Sequence, residues 1–222
     1  MPAHWTLRRN SRLFAERHET GFGDLPVLEV SLRTGVRTRD WEDGGRKQQI
    51  TDRDKYKRAA KGDIAYNMMR LWQGAIGHVP VDGLVSPAYV VARPLEGVEA
   101  AYYDHLFRTD IYKQQVNRNS RGIVSDRNRL YWDAFKRMAS PFPPSHEQRR
   151  VVEHLQVAAD RIDAGVYAAR RQIALLREFR ARLTADVVTG KLDVRDEAAS
   201  LRRSTPSARL REQPRPAPAH TV

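Results

Sequence analysis

Cysteine is absent from the 222 residues of the chain, and so is any long apolar run. The first absence excludes disulfides and thiolate metal sites and fits a reducing cytoplasm. No apolar stretch approaches the roughly 18 residues of a membrane-spanning helix, and residues 1–10 lack the apolar centre of a signal peptide. We therefore expect a cytoplasmic protein that is neither exported nor embedded in a membrane.

Signatures of catalysis are missing as well. The sequence has no glycine-rich phosphate loop and no Asn-Pro-Pro-aromatic motif of a methyltransferase. Asp63 and Asp126 lack the Glu-x-Lys partner of a nuclease site, and the histidines are not spaced with carboxylates as metal ligands. These absences predict a chain without catalytic residues, metal or cofactor, whose chemistry is done elsewhere.

Basic charge is what the chain has in surplus. The formal net charge is +12 and the pI about 10.3, and such a surplus favours polyanion partners over acidic small molecules. Residues 33–61 contain ten basic and five acidic residues, and residues 108–137 contain eight and three. These two segments carry +10 of the +12, so the basic surface belongs to the globular part that precedes the last third of the chain.

A seven-residue repeat runs through that last third. Its positions follow one another at steps of three and four, which is the a/d pattern of a coiled coil. We call these positions the seam, and they are Val152, Leu155, Ala159, Ile162, Val166, Ala169, Ile173, Leu176, Arg180, Leu183 and Val187. The pattern predicts a long helix that needs a partner helix. The plainer alternative is an amphipathic helix packed on its own domain.

Local signals mark the ends of this helix. The Pro-Pro pair at 143–144 precedes it, and Ser145 with Gln148 three residues later predicts a capping box. Gly190 lies just beyond the last seam position and predicts the C-terminal end. Gly165 lies inside the repeat, where it costs up to ~1 kcal/mol of helix propensity.

The whole pattern predicts an α+β fold, with a mixed α/β domain followed by a long coiled-coil helix. The predicted elements are a short leading helix over 1–20, strands over 26–32 and 64–69, a helix over 98–116, a basic loop over 114–122, a closing strand pair from 122–124 and 135–142, and a disordered tail over 196–222. No internal repeat is visible, so a single globular domain and one long helix are expected.

Five phrases of the sequence, taken together, resemble a known family. They are LPVLEVSLRTGV (25–36), GDIAYNMMRLWQGAIG (62–77), VSPAYVV (85–91), FPPSHEQRRVVEHL (142–155) and VVTGKLDVR (187–195). The Pro-Pro-x-x-Glu-Gln entry into the helix and the Val-Thr-Gly-Lys exit are specific in combination. With them the chain is similar to the specificity (S) subunits of type I restriction-modification systems.

The resemblance implies a target recognition domain over 1–142 that reads one half of a bipartite sequence in double-stranded DNA. It implies a spacer helix over 143–195 that docks methyltransferase (M) subunits and, through them, restriction (R) subunits. S-adenosylmethionine and ATP would be bound by those partners. Family members usually carry two such units in tandem with antiparallel spacer helices, whereas this chain has one of each. We expect a half-subunit that self-associates, one of two S chains, or a fragment; in a homodimer the half-sites would be inverted copies.

Residue types indicate which side chains could contact DNA. Arg and Lys hydrogen-bond guanine and phosphate, whereas Asn and Gln hydrogen-bond adenine. The candidates for DNA binding are Arg46, Lys47, Gln48, Lys55, Arg70, Trp72, Gln73, Gln115, Asn117, Arg118, Asn119, Arg121, Arg127 and Asn128. Of these, Trp72 suits the core equally well. The candidates for the dimer or subunit interface are Leu155, Ile162, Val166, Ile173, Leu176 and Leu183.

Two other functions fit the same residues. A non-catalytic coiled-coil scaffold with a basic head would bind nucleic acid or protein without reading sequence. Alanine at Gln73, Gln115 and Asn128 would then leave the nucleic-acid preference unchanged. A hidden nuclease would instead cleave plasmid DNA in the presence of magnesium.

Overall fold

The structure is a computed structural model that describes residues 1–39, 53–121, 128–196 and 199. Its strands are β1 Thr6–Arg9, β2 Phe14–Arg17, β3 Leu28–Ser31, β4 Gly35–Thr38, β5 Lys57–Ala59, β6 Ile64–Asn67, β7 Ile76–His78, β8 Gly83–Val85, β9 Tyr89–Pro94 and β10 Ala139–Phe142, and its α-helices are α1 Ala100–Phe107, α2 Asp110–Asn119, α3 Trp132–Phe135 and α4 Ser145–Val188. Residues 1–158 form one compact unit, and a second begins at residue 159. The predicted α+β class is confirmed. No helix in these described ranges is long and apolar enough to cross a bilayer.

An antiparallel sheet of strand order β2-β9-β6-β7 forms the centre of the first unit. Along β6, Ile64 and Tyr66 point into one buried cluster while Ala65 points into another, as the period of two in a strand requires. The first cluster is shared with the helices α1 to α3. The second lies against the β3-β4 hairpin and the β5-β8 pair. Both faces of the central sheet are therefore covered.

Aromatic side chains fill the helical side of this sheet. The rings of Phe14 and Tyr103 meet edge to face with centroids 5.2 Å apart, and those of Phe107 and Phe135 meet likewise at 5.5 Å. Tyr66 joins them from β6, 5.1 Å from Phe135. The Phe14–Tyr103 contact joins the sheet to α1, and the tilted Tyr66–Phe135 contact joins it to α3, so these rings fix how the helices lie on the sheet.

The predicted leading helix over residues 1–20 is wrong. The segment forms β1, paired with β10, and β2, paired with β9, with a short 3-10 turn over Asn10–Arg12 between them. Asn10 explains the outcome, because its buried amide donates to the Tyr112 hydroxyl at 2.8 Å and to the Phe135 carbonyl at 3.0 Å. The hydroxyl of Ser140 in β10 donates to the side-chain oxygen Oδ1 of Asn10 at 2.7 Å. Burial raises the pKa of Tyr112 to about 12, so its hydroxyl stays protonated in this network.

The segment over 98–122 also differs from expectation. The predicted helix over 98–116 is two helices, α1 and α2, and the predicted loop over 114–122 is helical as far as Asn119. Thr109 starts α2, since its hydroxyl oxygen accepts from the N–H of Tyr112. Tyr112 and Val116, four residues apart, bury one face and stabilise a helix whose other residues are polar, apart from the exposed Ile111. β10, within the predicted strand 135–142, pairs with β1, and the segment 122–124, its predicted partner, lies outside the described residues.

The start of α4 is held by a buried glutamine rather than by the predicted capping box. Gln148 is 0% exposed, and its amide nitrogen donates to the carbonyls of Gly97 at 3.0 Å and Pro143 at 2.8 Å. Its side-chain oxygen accepts from the N–H of Glu99 at 2.9 Å. Ser145 donates to the Gly97 carbonyl at 3.2 Å instead of capping its own helix. Gln148 thus ties the helix entry to the loop that leads into α1.

Glu147, the neighbouring member of the entry motif, bonds to the N-terminal segment. The indole N–H of Trp5 donates to one carboxylate oxygen at 2.8 Å, and His4 Nε2 lies 2.7 Å from the other. The Trp5 hydrogen bond, followed by that of His4, lowers the pKa of the Glu147 carboxyl. The adjacent glutamate and glutamine therefore attach the first turn of α4 to two different parts of the first unit.

Replacing Gln148 by methionine, which has a similar volume, is expected to destabilise the first unit by about 2–4 kcal/mol. The Glu99 N–H and the Pro143 carbonyl would lose this partner in a buried place, and the Gly97 carbonyl would keep only Ser145. Each unsatisfied buried group costs about 1–3 kcal/mol. Urea unfolding followed by tryptophan fluorescence measures the change. Gln114→Met, at an exposed position on α2, is the matched control. Equal stability of the two variants would contradict the role given to Gln148.

The last third of the chain contains one long helix, as predicted. α4 contains 44 residues, which corresponds to roughly 66 Å. It is followed by Gly190, whose φ of +74° lies in the left-handed region that ends helices. The six predicted interface residues on the seam are exposed by between 37% and 66% of their surface. The predicted tail over 196–222 lies outside the described residues, apart from 196 and 199.

Candidate nucleic-acid interface

Basic residues of the first unit fall into two groups. Arg17 Nε donates to Asp63 at 2.7 Å, and Arg58 donates to Glu19 and Asp82, both at 3.0 Å. These ion pairs stabilise β5 and the turn before β6. The positive charges of both arginines are therefore already neutralised by carboxylates. A second group has no ion-pair partner in the described part of the chain and includes Arg70, Arg118, Arg121 and Arg129.

Three separate segments bring this second group together around the C-terminal half of α2. The N–H of Leu130 donates to the carbonyl of Met68 at 2.9 Å, which lays residues 128–130 beside the turn after β6. That turn contains the 3-10 helix Leu71–Gln73, which packs on α2. We define the α2-end surface as Arg70, Gln73, Asn117, Arg118, Arg121, Asn128 and Arg129.

Two asparagines form a hydrogen-bonded pair on this surface. Asn128 Nδ2 donates to Asn117 Oδ1 at 2.8 Å, across 11 residues of sequence. The pair retains the amide hydrogens of Asn117 and the carbonyl oxygen of Asn128 for a ligand. A donor beside an acceptor is what the major-groove edge of adenine recognises, through its N7 and its N6 amino group. The fold therefore leaves amide hydrogens of Asn117 and the carbonyl oxygen of Asn128 available on this surface.

Two arginines face each other at the base of the segment 122–127. Arg121 and Arg129 exchange both backbone hydrogen bonds, at 3.0 and 2.9 Å, as an isolated antiparallel bridge. Directly opposed residues of such a bridge put their side chains on the same face, where like charges repel. Both side chains are exposed. An anion between them, such as a DNA phosphate, would remove the repulsion.

A cleft of about 650 Å³ adjoins the α2-end surface, and Arg70 belongs to both. Its wall is built by the β3-β4 hairpin, the end of β6 and the loop before β9. Polar and aromatic lining residues include Arg33, Arg39, Tyr56, Asn67 and Tyr89. Lys57 Nζ donates to the Tyr89 carbonyl at 2.8 Å, and burial lowers the pKa of this lysine. The cleft has the mixture of arginine, amide and tyrosine that nucleic-acid contacts use.

Comparison with known proteins identifies the fold. No family model and no curated protein matches the sequence. One similar solved structure is a chain from a study of complex assembly and conformational transition of the type I R-M system. Its TM-score is 0.56 at 15% identity, and the match covers 84% of this chain and 46% of that chain. The HsdS subunit from Thermoanaerobacter tengcongensis has a TM-score of 0.53 at 18% identity, covering 84% and 47%.

This chain has the fold of a type I specificity subunit. It spans about half the length of the structures that it matches. The five sequence phrases resembled the same family, so the sequence and the structure indicate the same fold.

The S-subunit fold brings together some of the predicted DNA-binding residues and assigns structural roles to others. Those on the α2-end surface are Arg70, Gln73, Asn117, Arg118, Arg121 and Asn128. Trp72 is half-buried against the core and donates to the Met69 carbonyl at 3.0 Å. The side-chain amide of Gln115 donates to Ala139 of β10, and that of Asn119 donates back to the carbonyl of Gln115. Lys55 lies exposed beside the cleft residue Tyr56, and Arg46, Lys47, Gln48 and Arg127 lie outside the described residues.

Several residues of these surfaces were missed by sequence reasoning. Arg129 follows directly after a predicted candidate, and only its bridge to Arg121 distinguishes it from other surface arginines. Arg33 and Arg39 belong to the first basic segment, so the charge pattern contained a signal for them. Asn67 and Tyr89 sit at paired positions of β6 and β9, which no local pattern indicates.

A histidine on the same unit predicts pH-dependent stability. His78 Nδ1 bonds Asp104 of α1 at 2.9 Å, and this hydrogen bond raises the pKa of His78. Arg108 Nε also lies 3.0 Å from Asp104, as an ion pair. Because the folded pKa is raised, the stabilisation is complete below the unfolded value of about 6.5 and is lost as pH rises through the folded pKa.

Proton NMR titration of His78 measures this effect. We expect a pKa above about 6.5 in the wild type and a value closer to 6.5 in Asp104→Asn. Urea unfolding measures the free energy of unfolding of the wild type and of Asp104→Asn. The wild type should be more stable than the variant at pH 5.5, and this difference should be smaller at pH 8.5. An identical difference at both pH values would contradict the linkage.

Proposed function

We propose that the chain is the DNA-recognition component of a type I restriction-modification complex, without catalysis of its own. The α2-end surface and the adjoining cleft contact one half-site in double-stranded DNA. α4 acts as the spacer helix, which docks methyltransferase subunits and a second spacer helix. Restriction subunits join through the methyltransferase, and the whole complex works in the cytoplasm.

The convergence on the α2-end surface is the observation that carries this proposal. Arg70, the Asn117-Asn128 pair and the Arg121-Arg129 bridge come from three separate segments, yet the fold gathers them in one place. The arginines have no ion-pair partner there, and the asparagine pair offers a donor beside an acceptor. Phosphate contacts that position a protein and amide contacts that read a base are thus supplied side by side.

Support for the methyltransferase partner comes from α4. A helix of 44 residues with an exposed apolar seam is unstable in water unless another surface covers it. The Pro-Pro-x-x-Glu-Gln entry is firmly attached to the first unit through Glu147 and Gln148, so the recognition surface and the start of the spacer helix belong to one unit.

Selection from a pool of randomised duplexes tests the recognition role. The purified chain should enrich a defined sequence, and its affinity should fall steeply between 50 and 200 mM salt because phosphate contacts release counterions. If the genomic neighbourhood encodes a methyltransferase subunit, adding that subunit should produce methylation at the selected sequence. Steep salt dependence without any enriched sequence would favour the scaffold with a basic head and overturn the proposal.

A further inference from the structure

A further group of arginines lies on the N-terminal strand and the turn after it. We define the β1 groove as the shallow depression lined by Leu7, Arg8, Arg9, Ser11 and Arg12. All five residues are exposed, and residues 1–15 contain no acidic side chain. Arg9 and Arg12 have no ion-pair partner in the described part of the chain. The groove therefore has a positive charge that the fold does not neutralise.

The backbone of β1 adds a hydrogen-bond donor to this charge. The carbonyl of Ala139 in β10 accepts from the side-chain amide of Gln115 at 3.2 Å, on the side away from β1. Arg9 is paired with Ala139, so the N–H of Arg9 points the other way, to the free edge of β1. Backbone N–H groups and arginine side chains are both common contacts to phosphate oxygens. The edge of β1 thus has the donors of an anion site.

Arg9 and Arg12 are the side chains of the groove that a ligand can reach. Arg8 stacks on the ring of Phe142, with its guanidinium carbon 3.7 Å from the centroid, and so packs on the β1-β10 ribbon itself. Arg9 directly precedes the 3-10 turn that ends at Arg12, and residues three apart in such a turn lie on one side of it, roughly 6 Å from each other. Charge on an edge strand also prevents pairing with another strand, but Arg12 lies beyond the strand.

The helix α2 lies between the β1 groove and the segment 128–130. Gln115 donates to β10, whereas Asn117 accepts from Asn128. Two residues correspond to about 200° of rotation in an α-helix, so the two contacts lie on nearly opposite flanks of α2. The β1-β10 ribbon therefore borders one flank of the helix, and the segment 128–130 borders the other.

Basic groups consequently lie on both sides of α2. The β1 groove is on one side, and the Arg121-Arg129 bridge is on the other. The exposed face of the helix between them presents Gln114, Asn117 and Arg118. An α-helix with its side chains is about 10–12 Å across, and the major groove of B-DNA is about 12 Å wide. The two basic groups thus have the separation of the two phosphate backbones that border a major groove.

We propose that the β1 groove holds the phosphates of one DNA strand while Arg121 and Arg129 hold those of the other, with α2 in the major groove between them. The proposal rests on the proposed function, since it requires that the α2-end surface contacts duplex DNA. Arg9 and Arg12 are then positioning residues, because phosphate contacts fix orientation without reading sequence. Gln114 joins Asn117 and Arg118 as a residue that faces the bases.

An acidic protein segment added to the free edge of β1 is the other occupant with matching charge. DNA is favoured because of where the groove lies. A bound strand would use only the edge of β1 and would have no need of unpaired arginines on the far flank of α2. A duplex needs basic contacts on both sides of the helix that enters its groove, and the fold supplies both.

Salt dependence of duplex binding tests the β1 groove. Arg9→Ala combined with Arg12→Ala should weaken binding of the full chain to every duplex at least about tenfold and reduce the salt slope by about two. Lysine at both positions should restore most of the slope. The matched control, Lys61→Ala with Arg93→Ala, removes the same charge from exposed positions outside the basic surfaces and should bind within about twofold of the wild type. An unchanged slope in the Arg9 and Arg12 variant overturns the proposal.

Neutral phosphates assign each basic group to a strand. Methylphosphonate linkages are placed in one strand of the selected duplex and, separately, in the other, and each should weaken binding of the wild type. The variant lacking Arg9 and Arg12 should lose its sensitivity to one strand only. Arg121→Ala with Arg129→Ala should lose its sensitivity to the opposite strand only. If both variants become insensitive to the same strand, the two groups lie on one side of the duplex and the proposal is overturned.

The same samples separate this proposal from the proposed function. If the wild type enriches a sequence while the Arg9 and Arg12 variant keeps its salt slope, the β1 groove is wrong and the recognition role stands. If the wild type enriches no sequence but the variant loses about two from the slope, the groove binds phosphates and the recognition role is wrong. A variant that binds DNA as the wild type does but no longer binds polyglutamate would identify an acidic protein segment as the occupant, which overturns the proposal.

Discussion

Leu176→Asp is expected to abolish self-association of the full chain while leaving the first unit folded. Leu176 is a seam residue, and a symmetric pair would bury two new carboxylates without partners in its apolar core. Burying an unpaired charge costs several kcal/mol, which corresponds to a loss of at least 100-fold in the dimer constant. Sedimentation velocity measures the association, and near-ultraviolet circular dichroism of the tryptophans reports on the first unit.

The control for this variant is Ala164→Asp, which adds the same charge to the outer face of α4. It should remain as dimeric as the wild type, because its side chain points away from the seam. If Leu176→Asp sediments as a dimer, the helix associates through another face and the seam is wrong. If it unfolds the first unit as well, the two units depend on each other more than the division of the chain into two compact units indicates.

Substitutions on the α2-end surface are expected to distinguish residues that set the affinity for any DNA duplex from residues that recognise the sequence. Arg70→Ala combined with Arg121→Ala should weaken binding to all duplexes alike and reduce the salt slope by about two, because two phosphate contacts are lost. Asn117→Ala should weaken binding to the selected target by about 1–3 kcal/mol, roughly 5- to 150-fold, while hardly affecting unrelated duplexes. Fluorescence anisotropy at several salt concentrations distinguishes the two patterns.

An exposed arginine elsewhere serves as the control for these measurements. Arg93 lies on β9 and lines neither the α2-end surface nor the cleft, so Arg93→Ala should leave both the affinity and the slope nearly unchanged. A uniform loss for Asn117→Ala on all duplexes would show that the asparagine pair positions the protein without reading a base. The base-reading role would then pass to the cleft residues Asn67 and Arg70.

At the entry of α4 the sequence correctly predicted the start of the helix but not the hydrogen bonds that hold it. Glutamate and glutamine after a Pro-Pro pair correctly indicated the start of a helix, and Ser145 with Gln148 has the spacing of a capping box. In the fold, however, Glu147 bonds His4 and Trp5 while Gln148 bonds the loop before α1. The capping prediction used only neighbours in sequence, whereas the actual partners lie about 50 to 140 residues away.

The α2 region shows that local sequence was also insufficient to predict the candidate site. Residues 114–119 were predicted as a loop because they are polar, and polarity is a property of exposed helices as well. Tyr112 and Val116 supply the buried face, but two residues are too few for a periodic signal to stand out. The prediction of DNA-contacting residues was therefore made by residue type alone, and Trp72, Gln115 and Asn119 prove to have structural hydrogen bonds.

The amino-acid sequence by itself determined the long helix, its seam, its end at Gly190, the basic surplus and the α+β class. Each of these depends on interactions between residues a few positions apart, or on composition, which a linear pattern contains. Only the tertiary structure decided that the N-terminus is a strand, that Asn117 meets Asn128, and that Arg121 opposes Arg129. These pairings come from the closing of the chain around two buried clusters, and packing of distant residues leaves no period in the sequence.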